Sequence, residues 1–162
     1  FEVLKLANTY KDKNIQFYFA GGWQDKEDEK DFFKYIKENC LESNVTFHGF
    51  VNGKQKKELF EKSHIFLFPT RYKNEAFPLS ILEAFSYGLP VLATDEGSIP
   101  FIIDERSGMV VNSLDNLDNL DVAFEKMIEE YINIDTSRYC RKRYLENFTL
   151  NKFEDNLVEI FR

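Results

Sequence analysis

The chain has 162 residues, of which 43% are hydrophobic and 30% are charged, and these proportions are those of an ordinary globular protein with its own core. Its formal net charge of −7 argues against non-specific binding to nucleic acid or to an anionic membrane. Cys40 and Cys140 have neither metal-ligand spacing nor the density of a disulfide framework, which favours a reducing, cytoplasmic location. No apolar run reaches the roughly 20 residues that cross a bilayer, and no signal peptide is visible.

The N-terminal part of the chain alternates between helix and strand patterns. Apolar residues at helical spacing predict helices over Phe1–Lys11, Lys26–Cys40 and Lys54–Ser63. Runs of β-forming residues predict strands over Ile15–Ala20 and Val45–His48. Because the chain starts without Met in what looks like the middle of a helix, we expect it to be a fragment of a longer protein.

The alternation continues to the C-terminus. Three further strands are predicted, at Ile65–Phe68, Val91–Thr94 and Met109–Val111. The predicted helices are Pro78–Tyr87, a short helix or turn at Ser98–Ile103, Leu117–Ile132, and two helices within Thr136–Arg162 that break near Asn147–Thr149. Pro78 suits the first turn of its helix because the amide hydrogen that proline lacks would have no partner there.

Short apolar strands that alternate with helices are typical of a parallel sheet covered on both faces. We therefore predict a single α/β domain over residues 1–162, a doubly wound, Rossmann-like parallel sheet with helices on both faces and a helical C-terminal tail. Such sheets bind ligands at the carboxyl ends of their strands. Four loops lie at those ends: Gly21–Gly22, Gly49–Phe50, Pro69–Glu75 and Asp95–Ser98.

Two carboxylates flank the start of the helix predicted from Pro78. Glu75 lies just before this helix, and Glu83 lies about two turns into it. Because burying an unpaired carboxylate is costly, a functional Glu83 either faces a polar cleft or has a hydrogen-bond donor as partner. The alternative is that Glu83 lies on a narrow solvated stripe with Ser80 and Tyr87. Glu75 could be no more than an acid that favours the helix dipole.

The same helix start offers backbone donors for an anion. The amides of Phe77, Leu79 and Ser80 can face a negative charge, with help from the helix dipole. Carboxylates that accept from hydroxyl groups, one on either side of an anion site, would suit a ligand with a diphosphate in the middle and a sugar at each end.

A basic run, Arg138–Arg143, lies in the first of the two C-terminal helices. Such a run is usually a solvated helix face. The alternative is contact with anionic lipid, which would bring a cytoplasmic protein to the inner face of a membrane as a peripheral partner.

The segment from Glu75 to Thr94 reads EAFPLSILEAFSYGLPVLAT and resembles the signature of the retaining group 1 glycosyltransferases. The likeness covers almost the whole chain, since Gly21–Gly22, Val45–Val51 and Gly108–Val111 also follow the family's order. The resemblance implies the C-terminal, nucleotide-sugar-binding domain of the GT-B architecture. It also implies that the domain's first strand and an N-terminal acceptor domain precede this chain.

The resemblance implies a role for each matching residue. Glu75 would lie near the transferred sugar as a catalytic residue, and Glu83 would accept hydrogen bonds from the ribose hydroxyls. The other implied donor-binding residues hold the diphosphate through their amides (Phe77, Leu79 and Ser80), contact the base (Phe50 and Val51) or leave room for the donor (Gly21 and Gly22).

The chain departs from the family pattern in two respects. Phe101 stands where the family usually has a glutamate, and the arginine and lysine that neutralise the diphosphate would precede Phe1. No paired-aspartate metal motif is present, so we expect neither a metal nor another cofactor, the nucleotide sugar being a substrate.

The resemblance therefore implies the donor-binding half of a hexosyltransferase of polysaccharide biosynthesis. It would move a sugar from a nucleoside diphosphate sugar to a glycan or lipid-linked acceptor, with retention at the anomeric carbon. Its partner would be the N-terminal domain of the same protein, nucleic acid would not be a ligand, and the fragment alone would be inactive. Two alternatives stay open, a non-catalytic nucleotide-binding or protein-interaction module and a GT-B nucleotide-sugar epimerase.

Overall fold

A computed structural model describes residues 1–23, 25–72, 74–112 and 118–162. Within these residues, helices alternate with short strands, and every recorded strand pair is parallel. The predicted α/β fold with parallel strands and flanking helices is therefore confirmed. The chain divides into two compact units, Phe1–Leu59 and Phe60–Arg162.

The N-terminal unit contains one pair of parallel strands. Its elements are α1 (Glu2–Thr9), β1 (Phe17–Phe19), α2 (Lys26–Glu38), β2 (Val45–Phe47) and the start of α3 (Gly53–Lys62). Phe17 of β1 lies opposite Val45 of β2, and both side chains are buried. The strands are shorter than predicted, because only three residues of each form the ladder.

Aromatic packing holds the segment after β1 in place. Phe32 of α2 meets Phe19 edge-on with their ring centroids 5.0 Å apart, and Trp23 lies 4.9 Å from Phe32. The Asp25 carboxylate accepts a hydrogen bond of 2.9 Å from the Glu27 amide and so caps α2. Trp23, which follows Gly21 and Gly22, therefore packs against α2 through Phe32.

The C-terminal unit contains a three-stranded parallel sheet. Its elements are β3 (Phe66–Phe68), α4 (Leu79–Ser86), β4 (Val91–Thr94), α5 (Ile99–Ile102), β5 (Gly108–Val111), α6 (Asp118–Lys126), a π-helical turn (Met127–Tyr131), α7 (Ile134–Asn147) and α8 (Leu150–Ile160). β4 lies between β3 and β5, and all four of its residues are buried. α4 packs against β3, β4 and α7, so its apolar face belongs to the core of this unit.

Gly108 is required where β5 pairs with β4. It lies opposite Val91 with a positive φ of 158°. A side chain at position 108 would place its Cβ 2.0 Å from the Val91 carbonyl oxygen. Only glycine therefore allows the two strands to approach at this register.

Most helix ends differ from prediction by one or two residues, and two helices differ in a way that has a visible cause. α4 begins at Leu79, because Pro78 has an extended backbone (φ −76°, ψ 102°) and occupies the capping position. The helix predicted over Leu117–Ile132 is α6 followed by the π-helical turn, and Leu117 itself lies outside the described residues. The short helix at Ser98–Ile103 and the break between the two C-terminal helices are confirmed.

The basic run Arg138–Arg143 lies on α7 and is only partly a solvated face. Arg138 and Lys142 are exposed as predicted, and each pairs with an acid on the same helix, at 3.9 and 3.7 Å. Cys140 is fully buried, and the Arg143 side chain is only 20% exposed. The prediction of a solvated face is therefore wrong for these two residues.

Asp104, in the segment between α5 and β5, anchors the inner face of α7. Its carboxylate lies 2.7 Å from the Arg143 guanidinium and accepts hydrogen bonds of 2.7 Å from the Tyr139 hydroxyl and 2.8 Å from the Ser107 hydroxyl. Burial acts to raise the pKa of Asp104, but the bonds from Tyr139 and Ser107, the Arg143 charge and the Arg106 amide outweigh it and lower that pKa. The folded chain therefore favours the ionised carboxylate.

Candidate functional site

Glu75 lies at the end of the loop that joins β3 to α4. Its amide donates to the Tyr72 carbonyl at 2.9 Å, and the Tyr72 amide donates to Thr70 Oγ1 at 3.1 Å. Lys73 of the same loop lies outside the described residues. The Glu75 side chain is half-buried. These two hydrogen bonds therefore hold Glu75 shortly before the helix, where the sequence predicts it.

The start of α4 presents backbone donors. Leu79 and Ser80 are its first residues, so their amides have no helical carbonyl one turn earlier. The Ile81 amide is bonded to the Pro78 carbonyl at 3.1 Å, and among the described residues no side chain caps this helix. Phe77 precedes the Pro78 cap, so its amide lies just before the first turn of α4.

Glu83 is the fifth residue of α4 and is half-buried. Its neighbours Leu82 and Ala84 are buried in the core, whereas Ser80 is half-buried and Tyr87 is exposed. Glu83 therefore lies on a narrow, partly exposed stripe of an otherwise apolar helix. A carboxylate that faces a polar cleft and one on a solvated stripe must both be partly exposed, so the half-buried Glu83 agrees with either position.

The loop after β4 supports the loop that carries Glu75. The buried Thr94 donates from Oγ1 to the Thr70 carbonyl. A Cβ at Gly97, where φ is +54°, would lie 1.5 Å from the Glu75 carbonyl oxygen. Neither Thr94 nor Gly97 is among the predicted site residues. Thr94 ends the segment that resembles the family signature, and Gly97 lies in the Asp95–Ser98 loop that follows β4.

In the N-terminal unit, the two predicted glycine loops meet. The Gly21 amide donates to the Gly49 carbonyl at 2.8 Å. The Phe50 ring lies over Gly22, since a Cβ there would be 2.2 Å from the ring edge, yet Phe50 is 87% exposed. Val51 follows and is half-buried. The four predicted residues of this unit therefore share one end of the β1–β2 pair.

Within the part of the chain that the structure describes, no group of three or more His, Cys, Asp or Glu side chains could hold a metal ion. The backbone amides at the start of α4 are suited to an anion. Of the helices described, none combines the length and the apolar character needed to cross a membrane.

Comparison with known proteins places the chain in a family. The family model for "Glycosyl transferases group 1" matches residues 1–144. The chain is 31% identical over 125 residues to the O-antigen chain mannosyltransferase C of Escherichia coli, covering 74% of this chain and 33% of that protein. It is 28% identical over 130 residues to an uncharacterised 41.2 kDa protein of the cps region of Klebsiella pneumoniae, covering 78% and 35%. The chain thus spans about a third of the length of these curated relatives.

Solved structures share the fold. The Anabaena protein HepE in complex with UDP-glucose superposes with a TM-score of 0.84 at 16% identity, over 99% of this chain and 44% of that chain. The C-terminal domain of a group 1 glycosyl transferase from Francisella tularensis gives a TM-score of 0.73 at 18% identity, over 92% and 78%. With a Rossmann-like fold of the GT-B type and a family match that spans residues 1–144, this chain belongs to the group 1 glycosyl transferases.

Proposed function

We propose that this chain is the donor-binding half of a transferase that moves a sugar from a nucleoside diphosphate sugar to a glycan or lipid-linked acceptor, with retention at the anomeric carbon. The observation that carries the proposal is the arrangement around α4. A half-buried carboxylate stands on each side of the free amides at its start, Glu75 before the helix and Glu83 on its exposed stripe.

This arrangement matches the charge that sugar transfer creates. When the bond to the leaving diphosphate breaks, negative charge grows on its oxygens, and the amides of Leu79 and Ser80 with the helix dipole stabilise that charge. Glu83 accepts hydrogen bonds from the ribose hydroxyls, and Glu75 faces the transferred sugar as the catalytic carboxylate. The Phe77 amide, outside the first turn, completes the diphosphate contacts.

The N-terminal unit supplies the base contacts in this proposal. Phe50 and Val51 contact the base, and the exposed Phe50 ring is suited to stacking. Gly21 leaves room for the donor, because nothing lies within 4 Å of its missing Cβ, whereas the space beside Gly22 is taken by the Phe50 ring, so that Gly22 acts by letting this ring lie against the backbone.

Named relatives support the substrate class. The HepE structure contains UDP-glucose, and the E. coli relative is named as a mannosyltransferase of the O-antigen chain. A third relative is named for a lipid product: the chain is 36% identical over 96 residues to the α-galactosylglucosyldiacylglycerol synthase of Streptococcus pneumoniae. The proposed donor, a nucleotide sugar, and the proposed acceptor, a glycan or a lipid-linked molecule, agree with the names of these three proteins.

Titration of the full-length protein with UDP and GDP tests the ribose contact. Glu83→Ala should raise the dissociation constant roughly 10- to 100-fold, because a charged acceptor of the ribose hydroxyls is lost. Glu146→Ala is the control, since Glu146 is an exposed acid on α7 paired with Lys142, and it should bind like the parent. Equal binding by the parent and Glu83→Ala would remove Glu83 from the site.

A panel of UDP-glucose, UDP-galactose and GDP-mannose, with and without candidate acceptors, tests the reaction. Transfer should require an acceptor and should persist in EDTA, since the proposed anion site uses amides rather than a metal. Interconversion of a nucleotide sugar without acceptor would mean an epimerase, and binding without any turnover a non-catalytic module. The 162 residues alone should transfer nothing, because the acceptor domain is proposed to lie elsewhere in the protein.

A further inference from the structure

The loop from Thr70 to Glu75 is supported at both ends by the segment that follows β4. At one end, the buried Thr94 hydroxyl donates to the Thr70 carbonyl. At the other end, the Gly97 backbone lies directly against the Glu75 carbonyl. The Tyr72 turn connects the two points, because it accepts from the Glu75 amide and donates to Thr70 Oγ1.

Gly97 makes this support specific to the Glu75 backbone. Its φ of +54° is unfavourable for any residue with a side chain. Its missing Cβ would also lie 1.5 Å from the Glu75 oxygen and 2.7 Å from the Glu75 carbonyl carbon, whereas real Cβ atoms essentially never come closer than 3.0 Å. An alanine at 97 would therefore push the Glu75 carbonyl away by at least about 1.5 Å, the difference between 3.0 and 1.5 Å.

We propose that Gly97, together with Thr94, is a positioning residue that sets where the Glu75 carboxylate stands relative to the transferred sugar. This inference rests on the proposed role of Glu75. Gly97 needs no contact with the donor itself, since it acts through the Glu75 backbone. A shift of that size at a reacting group lowers turnover strongly, whereas contacts made elsewhere with the nucleotide are left in place.

Two quantities are measured in the full-length protein. One is the rate of nucleoside diphosphate release from whichever of UDP-glucose, UDP-galactose and GDP-mannose proves to be the donor, and the other is the affinity for UDP or GDP. Gly97→Ala should lower kcat about 10- to 100-fold with little change in KM or in UDP or GDP affinity. Gly53→Ala is the matched control, because Gly53 has a similar φ of +47° but nothing within 4 Å of its missing Cβ. It imposes the same backbone strain without moving Glu75, and should leave kcat unchanged.

A second pair of variants decides the matter if Gly97→Ala does not fold. Thr94→Val keeps the shape of the side chain but removes its hydrogen bond to Thr70, and should lower kcat with nucleotide affinity unchanged. Thr94→Ser keeps the hydroxyl and should restore most of the turnover. A structural role alone would change stability in this pair without separating kcat from affinity.

Glu75→Gln, measured beside the other variants, separates the positioning role of Gly97 from the role of Glu75 itself. If Glu75→Gln loses turnover while Gly97→Ala and Thr94→Val keep parental kcat, the positioning role is wrong and the role of Glu75 stands. The positioning role is also wrong if Gly97→Ala loses nucleotide affinity as fully as turnover. If Glu75→Gln itself keeps parental turnover, the proposed role of Glu75 fails, and the positioning role fails with it.

Discussion

The Arg143 guanidinium lies 2.7 Å from the Asp104 carboxylate and also donates from Nη2 and Nε to the Ile102 carbonyl, at 2.8 and 3.0 Å. One side chain of α7 thus fastens both the end of α5 and the segment before β5. α7 also packs against α4, the helix that carries Glu83. The Arg143–Asp104 ion pair therefore stabilises α4 indirectly, by holding α7 in place.

Arg143→Met should lower the free energy of unfolding by about 2 kcal/mol, because it leaves a partly buried carboxylate without its cation. The figure lies below that of a fully buried pair, since the two side chains are 20% and 30% exposed and water screens part of the charge. Urea unfolding of the full-length protein measures the change. Arg138→Met, which removes an exposed pair, should cost less than about 0.5 kcal/mol, and equal losses from both variants would contradict the anchoring role.

The Asp104 network also predicts a dependence on pH. The pKa of Asp104 is lower in the folded chain than its ordinary value of 3.8, so its stabilising contribution is fully present above that value. The contribution should be lost as the pH falls below 3.8 and through the lower folded pKa. Unfolding measured from pH 6 to pH 3 should therefore lose stability more steeply in the parent than in Asp104→Asn. Parallel curves for the two proteins would show that Asp104 does not contribute.

The two cysteines should differ sharply in reactivity. Cys140 is fully buried, and burial raises its pKa to about 12, whereas Cys40 is exposed. A maleimide at pH 7.5 should therefore label the peptide that contains Cys40 and leave the Cys140 peptide unmodified until urea is added. Peptide mass spectrometry reads both sites separately, so other cysteines of a longer chain do not interfere. Equal labelling in the native protein would show that α7 detaches readily.

Gly108→Ala should destabilise the C-terminal unit by roughly 3 kcal/mol or more, because the new Cβ meets the Val91 carbonyl of the central strand. Gly53→Ala, at a positive φ with open space around it, should cost about 1 kcal/mol. Thermal unfolding of the full-length variants compares the two positions. A similar loss at both would mean that β4 and β5 separate without penalty.

The order of elements could be predicted because it depends on local patterns. α4 follows from the apolar residues at helical spacing and from Pro78, and β4 from a run of four buried apolar or β-branched residues. The start of α4 is off by one residue, since Pro78 has an extended ψ of 102° and therefore caps the helix instead of opening it. The three-residue strands are also shorter than their apolar runs, because a ladder ends where its partner strand ends.

The contacts that support the candidate site had no such local signal. Thr94 and Thr70 are 24 residues apart, and Gly97 meets Glu75 across a helix and a strand. The pairing of Arg143 with Asp104 is similarly distant, which is why a basic run on a helix was predicted to be solvated. The periodicity of apolar residues identifies which face of a helix or strand a residue occupies. It does not identify the distant loop that packs against that face.

The contact between Gly22 and Phe50 has a consequence for how this sequence can change. The ring edge lies where a side chain at position 22 would begin, so the two positions share one volume. A larger residue at 22 fits only if residue 50 becomes smaller or turns away. Selection from a library randomised at both positions should therefore return compensating pairs, with a small residue at one position whenever the other carries a ring.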